Sequence, residues 1–305
     1  MKDNSAQSGI TLFSIPKAFK GHNKVIQLNA IRSWTLLQPK CEIIVFGNDE
    51  GTAEVAADLG LTHIPEVERN EYNTPLVSSL FLKAQQLSHH NNLCYINADI
   101  ILLNDFLPAL NRVNKSSFLI VGQRWDLDID YLLDYSDSNW ETTLKDLLRK
   151  EGKLHPKTGI DYFAFPRGLY ASMPPFAIGR GSWDNWLLFR ARELKTPIID
   201  ATGAITAIHE NHDYSHLRDG ADHFTKGIEM KPNLEMAGGA DHLFSLEYAT
   251  HLLKTNGVRM ALSPRHLFFR MTAIPFLHPR LHFLAKPMKT LTRAIVSIRS
   301  MLHGR

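Results

Sequence analysis

Through its first 125 residues the chain alternates short apolar runs with segments whose apolar residues recur at helical spacing. "GITLFSI" (Gly9 to Ile15) reads as a strand, and "HNKVIQLNAIRSWTLL" (His22 to Leu37) lines Val25, Ile26, Leu28, Ile31 and Trp34 along one stripe of a helix. "CEIIVFGN" is the next strand, turning at Gly47-Asn48; "TAEVAADLG" is a short helix closed by Gly60, and "LTHIP" is a third strand. "NTPLVSSLFLKAQQLS" predicts a helix capped by Thr74, with Pro75 at the first helical position, where its missing N–H costs nothing. A fourth strand, "LCYINADIIL" (Leu93 to Leu102), is apolar except for Asn97 and Asp99 in its middle.

Strand and helix in alternation imply an α/β fold with a doubly wound, mostly parallel sheet and helices on both faces. Such sheets bind ligands at the carboxyl ends of their strands, near the switch in strand order, so Asn97 and Asp99 face the expected crevice. The second half is less regular. "SSFLIVGQRWDLDI" reads as a strand running into a charged loop, "NWETTLKDLLRKEG" as a helix closed by Gly152, and "GIDYFAFP" as a strand. "SWDNWLLFRARELK" is a helix, "TPIIDAT" a strand, and "AITAIHENHDYSH" a strand that enters a histidine-rich loop.

At 305 residues and 44% hydrophobic composition the chain can bury a full core. Its net charge of +3 hides an asymmetry. Ten Lys and Arg but no Asp or Glu lie beyond Glu247, so the first 247 residues carry −7 against +10 for the rest. Three spans follow: 1–125 as one half of a domain, 126–247 as its second half, and 248–305 as a basic, helical C-terminal tail. The last part of that tail, "MKTLTRAIVSIRSML", sets Leu291, Ile295, Ile298 and Leu302 on one helix face, a pattern suited to an anionic membrane surface; packing on the protein itself is the competing reading. The only cysteines, Cys41 and Cys94, each open an apolar run and read as buried thiols of a reducing compartment. With no leader-like start and no long uncharged apolar run, the expectation is a cytoplasmic protein, soluble or peripheral on the inner face of the cell membrane.

Several residues carry candidate chemistry. Asp99 suits a hard cation, Mn²⁺ or Mg²⁺, which binds one or two carboxylates plus substrate phosphates; the bland reading is a polar strand end. Among His209, His212 and His216, His209 follows the apolar "ITAI" run and is placed best to join such a metal, against the alternative of a surface histidine. Asp184 falls in the first turn of a helix that Ser182 can cap, where the helix dipole keeps it ionised. Set between Trp183 and Trp186, it fits a general base; otherwise it only assists the cap. Arg180 can grip phosphate or simply a carboxylate. Asp161 can hold sugar hydroxyls, whereas Asp126, Asp128 and Asp130 read as a solvated loop.

In order and spacing, "ITLFSIPKAF", "FGND", "NTPL" and "CYINADIILL", then "GIDYFAFP", "PPFAIGRGSWDNWLL" and "IDATGAITAIHENHDYSH", resemble the GT-A-type, nucleotide-sugar-dependent glycosyltransferases, in a bacterial branch, over about residues 9 to 216. The resemblance implies a GT-A-like sheet in which Asn97-Ala98-Asp99 stands for the metal-holding Asp-x-Asp turn. It also implies that Ser14 and Pro16 contact the nucleoside, together with Asn48 or Asp49, with Asn97 and Arg180 on the donor side. Trp183-Asp184 matches the tryptophan-plus-acid segment that supplies the base of inverting members, and His209 the late metal histidine. Two positions depart from the pattern: Asn97 replaces the first acid, and Asn185 stands where many relatives carry a second one. The implied activity is transfer of a sugar from a nucleotide-sugar donor to a glycan or lipid-linked acceptor, assisted by Mn²⁺ or Mg²⁺ and inverting, with retention the alternative because late metal histidines occur in retaining members too, and with no nucleic-acid partner. A sugar nucleotidyltransferase is the alternative, although "SIPKAFKGHN" lacks its glycine-rich loop; a non-catalytic nucleotide- or glycan-binding protein is another.

Overall fold

A computed structural model describes residues 9–211, 227–288 and 290–291. Among these residues, nine strands form one sheet and four short strands form a second. In the large sheet β1 (Ile10–Ser14) lies between β2 (Glu42–Phe46) and β4 (Asn92–Ile96), parallel to both, and β3 (Thr62–Ile64) pairs parallel with β2. The chain thus moves outward from β1 through β2 to β3, then returns to the other side of β1 as β4. This reversal opens a crevice beyond the carboxyl ends of β1 and β4.

Side chains alternate across β1, and the two faces bury different sets. Leu12 packs with Ile31 and Trp34 of α1 (Gly21–Thr35). Phe13 packs with Phe81 of α3 (Val77–Leu87), which follows the short α2 (Thr52–Leu59), and with Leu187 of α6 (Trp183–Glu193). Helices therefore cover both faces, as the alternation predicts. Phe13, Phe81, Tyr95 and Phe165 form an aromatic cluster, with Phe13 edge-on to Phe81 at 5.1 Å.

Three readings of the sequence need correction. The run Leu93 to Leu102 is not one strand. It leaves the large sheet at Ile96, turns through Asn97-Ala98-Asp99, and resumes as β5 (Ile100–Leu102) in the small sheet. The Asn97 amide N–H donates to the carbonyl of Asp161 (2.9 Å), and the Ile100 N–H closes the turn onto the Asn97 carbonyl (3.2 Å). "SSFLIVGQRWDLDI" divides likewise into β6 (Leu119–Val121) in the large sheet and β7 (Trp125–Leu127) in the small one. Thr74 does not cap α3, which begins at Val77; Pro75 and Leu76 are instead held extended by antiparallel bridges to Arg69 and Ala177.

Beyond α4 (Phe106–Asn111), α5 (Trp140–Glu151) and the short β8 (Lys153–Leu154), β9 (Tyr162–Pro166) inserts antiparallel between β4 and β6. β10 (Ile198–Asp200) runs parallel to β6, and β11 (Ala207–Glu210) enters the small sheet between β5 and β7. After α7 (Met230–Met236), the basic segment first adds a hairpin to the sheet edge, β12 (His251–Lys254) and β13 (Gly257–Met260), and then forms α8 (Pro264–Leu277). Among the described residues no helix is long and apolar enough to cross a membrane. Ile295, Ile298 and Leu302 lie outside the described residues.

Candidate active site

A cavity of about 650 Å³ opens at the crevice between β1 and β4. It is lined by Pro16, Asp49, Asn97, Asp99, Asp161, Arg180, Trp183, Asp184 and His209 of the residues singled out above, and by Lys17, Gln27, Tyr95 and Arg124. A second cavity of about 590 Å³, lined by Asn92, Lys115 and Phe118, sits at the amino-terminal ends of the strands and contains no carboxylate or imidazole. Acid, base or cation chemistry therefore has its groups in the first.

The small sheet explains how distant residues converge. In register, His209 of β11 lies opposite Ile100 on one side, next to Asp99, and opposite Asp126 of β7 on the other. Its Nε2 is 3.7 Å from Asp99 Oδ2, and its Nδ1 is 3.6 Å from Asp126 Oδ1. Burial pushes the imidazole toward neutrality, but the attraction of the Asp99 carboxylate outweighs it, and the pKa is raised. The next residue, Glu210, turns to the opposite face of β11 and is fully buried against Asn29 of α1, whose Nδ2 donates to it at 2.9 Å. Burial pushes its carboxyl up to about 9, so at neutral pH it is a neutral acid.

Arg124 and Asp161 form the second part of the site. Arg124 donates to Asp161 Oδ2 (2.8 Å) and to Asp126 Oδ1 (2.9 Å), while His155 Nδ1 lies 2.7 Å from Asp126 Oδ2. Asp126 is thus part of a half-buried ionic network, held below its usual range by His155 and Arg124 against the opposing effect of burial, and not a solvated residue. Asp128 and Asp130 are exposed. Asn97 donates to Asp161 Oδ1 (2.7 Å) and accepts from the Tyr95 hydroxyl (3.0 Å), so its amide is oriented by the protein. Both oxygens of Asp161 already accept a hydrogen bond.

Asp184 stands in the first turn of α6. Ser182 occupies the cap position with φ of 89°, but its side chain makes no capping bond. Burial, aided by the charge of Asp161, pushes the Asp184 carboxyl up to about 6, against the pull of the Asn185 backbone N–H. Desolvation overrides the helix dipole that the sequence suggested would hold it fully ionised. Its Oδ1 has no hydrogen-bond partner among the described residues. Trp183 borders the cavity and packs edge-on to Tyr95 at 5.2 Å, whereas Trp186 turns into the core against Phe176, so only one tryptophan flanks the acid at the cavity. Asn185 points elsewhere: its Nδ2 donates to the Phe244 carbonyl (2.9 Å) and ties α6 to that segment.

The remaining candidates are placed less centrally. Ser14 is fully buried at the end of β1, and Asn48, outside the cavity lining, accepts from Arg69 (3.2 Å). Pro16 belongs to a loop fixed by Gln27, whose amide accepts from the Lys17 N–H (2.6 Å) and donates to the Lys17 carbonyl (2.9 Å). Arg180 reaches the cavity while gripping Glu229 through Nε and Nη2 at 2.9 and 2.7 Å. His212 and His216 lie outside the described residues. Sequence reasoning missed Arg124, Gln27 and Glu229. Arg124 had one local signal, a cation two residues before Asp126 at the end of a strand; Glu229 had none.

Asp99 and His209 present an oxygen and a nitrogen within reach of one ion, given bonds on the order of 2.1 Å. No group of three His, Cys, Asp or Glu among the described residues gathers to hold a metal. The pair therefore fits an ion that takes the rest of its shell from phosphate oxygens and water, as Mg²⁺ and Mn²⁺ commonly do.

No family model and no curated protein matches the chain. Among solved structures it is similar to glucosyl-3-phosphoglycerate synthase from Mycobacterium tuberculosis in complex with Mn²⁺, UDP and phosphoglyceric acid, at 16% identity and a TM-score of 0.45 over 77% of this chain and 80% of that one. The complex of the same enzyme with Mn²⁺, UDP and glucosyl-3-phosphoglycerate gives 0.46 at 16% identity over 87% and 93%. A putative nucleotide-diphospho-sugar transferase from Desulfovibrio desulfuricans gives 0.40 at 9% identity over 76% and 98%. Likenesses at this level say nothing of which residues act.

Proposed function

We propose that the protein transfers a sugar from a nucleotide diphosphate sugar to a hydroxyl of a glycan or lipid-linked acceptor, with inversion at the anomeric carbon. The observation that carries this reading is the shared cavity. At the strand switch it holds the half-buried Asp184, whose carboxyl has one oxygen sealed from solvent and is pushed up to about 6, and the cation-compatible pair Asp99 and His209.

The chemistry asks two things of a protein: a base for the acceptor proton and compensation for charge gathering on the leaving diphosphate. A carboxyl at about 6 is mostly ionised at neutral pH yet a better proton acceptor than an ordinary aspartate. As the acceptor oxygen bonds to the anomeric carbon, its proton passes to Asp184, while the bond from that carbon to the diphosphate oxygen breaks and its electron pair leaves with the diphosphate. Bound Mn²⁺ or Mg²⁺ would supply Lewis-acid neutralisation of that diphosphate. Arg124 and Arg180 add fixed positive charge at the cavity wall, each held in place by carboxylates, and Trp183 with Tyr95 forms an apolar floor for a sugar ring. Asp161, committed to Asn97 and Arg124, organises the wall and retains lone pairs for a donor or acceptor hydroxyl. Pro16 and Asp49, which line the same cavity, would contact the nucleoside.

Titration calorimetry against a panel of nucleotide sugars, with and without Mn²⁺, followed by a donor-hydrolysis assay, tests the proposal. Metal-dependent binding with slow hydrolysis supports it. Binding without any turnover reduces the protein to a binding module, and no binding removes the reading.

A further inference from the structure

α8 is apolar on two sides. Phe269, Thr272 and Ala273 face inward, and Ala273 joins the core that covers one face of the large sheet. Leu267, Met271 and Ile274, at i, i+4 and i+7, form a second stripe that is 43%, 54% and 41% exposed. The turn that follows exposes Phe283 at 73%, an unusual position for a side chain of that size. A helix anchored by one apolar face and presenting another is suited to an apolar medium outside the protein.

Charge indicates which medium. The segment beyond Glu247 has ten Lys and Arg and no acid. Two of these are used internally, Arg265 on Glu247 and Arg270 on the Thr250 carbonyl. Lys254, Arg259, Arg280 and Lys286 are exposed and make no ion pair among the described residues. An apolar stripe in a segment that carries exposed, unpaired cations and no acid of its own matches the interface of an anionic bilayer, where apolar side chains enter the acyl boundary and cations meet lipid phosphates. A second copy of the chain would bring the same cations against themselves, so self-association through this face opposes charge.

We infer that the outward face of α8, with Phe283, is a membrane-docking surface for anionic lipid. It holds the body of the protein, and not only its C-terminal residues, at the bilayer. The inference is independent of the sugar chemistry, since vesicle binding can fail while transfer stands.

The test is sedimentation of the full chain with vesicles of phosphatidylcholine containing about 30% phosphatidylglycerol, against phosphatidylcholine alone. The neutral variant Leu267→Gln/Met271→Gln/Ile274→Gln leaves every cation in place, and circular dichroism checks its fold. Selective binding to anionic vesicles, weakened about tenfold or more in the triple variant and similarly by Phe283→Ser, is the expected result. Arg280→Gln with Lys286→Gln should weaken binding about fivefold per charge removed at low salt, and less at high salt. Failure of the full chain to bind, or undiminished binding by the triple variant, overturns the inference. So does a dimer in analytical ultracentrifugation that the triple variant converts to monomer, which would make the face a contact between copies.

Discussion

Replacing Asp184 by Asn separates the chemistry of this residue from its cost to the fold. Burial, with Asp161 nearby, moves the carboxyl from its ordinary 3.8 to about 6. At 1.4 kcal/mol per tenfold change, the folded protein disfavours the ionised form by about 3 kcal/mol. The folded state holds the proton more tightly than the unfolded chain does. The penalty is therefore absent below the unfolded value of about 4, grows as the pH rises, and is complete above about 6. Asn cannot ionise and escapes it, although an amide N–H left without an acceptor returns roughly 1 kcal/mol. Asp184→Asn should accordingly raise unfolding stability by about 2 kcal/mol near pH 7.5 and leave it unchanged or slightly lower near pH 4. Urea titrations at the two pH values, with equal m-values, measure this. In the same variant sugar transfer should fall by about 10² to 10⁴ with donor affinity retained, and in the wild type kcat/KM should fall tenfold per pH unit below about 6. Unchanged turnover, or a stability difference that is the same at both pH values, refutes the assignment.

Asp99→Ala and His209→Ala should each abolish the Mn²⁺ dependence of donor binding in calorimetry, with metal-free affinity nearly unchanged. Arg124→Met leaves Asp161, with its side chain 8% exposed, as an unpaired buried carboxylate; a loss of about 3–5 kcal/mol in urea unfolding is expected, partly recovered in Arg124→Met/Asp161→Asn. Glu229→Gln frees Arg180 from its carboxylate and loosens the contacts from Asn70 and Thr74, which should raise the donor KM severalfold while kcat changes less. Asn97→Asp should not strengthen metal binding but should destabilise by about 1–3 kcal/mol at neutral pH, an effect relieved at acid pH and measurable by thermal unfolding.

What the sequence reveals depends on how local each cause is. The polar interruption at Asn97 and Asp99 is legible because nothing within an apolar run explains it, and His209 because it ends another such run. The doubly wound sheet follows from alternation alone, since each strand must bury both faces under helices. The start of α3 is misread because Thr74-Pro75 has the local form of a cap, while the bridges to Arg69 and Ala177 that hold it extended are tertiary. Likewise the acids after Trp125 look solvated. Asp128 and Asp130 are, but the partner of Asp126, His155, lies 29 residues away along the chain, and β7 and β8 bring the two together only in the folded sheet.

Asn97 shows how the two kinds of cause meet. Considered alone, an amide there offers a cation one negative charge fewer than an acid would. In the folded protein its Nδ2 is 2.7 Å from Asp161 Oδ1, a position where a second carboxylate would face the first at contact distance. Asp161 is itself fixed by Arg124, and Arg124 by Asp126, which lies 3.6 Å from His209. An amide at residue 97 lets the turn donate to this network instead of competing with it, and leaves Asp99 as the acid of the turn beside His209. Asp161 lines the same cavity and holds Arg124. With an amide at residue 97, the carboxylate of Asp161, just before the strand that pairs with β4, is left to bind Arg124 without a second negative charge against it.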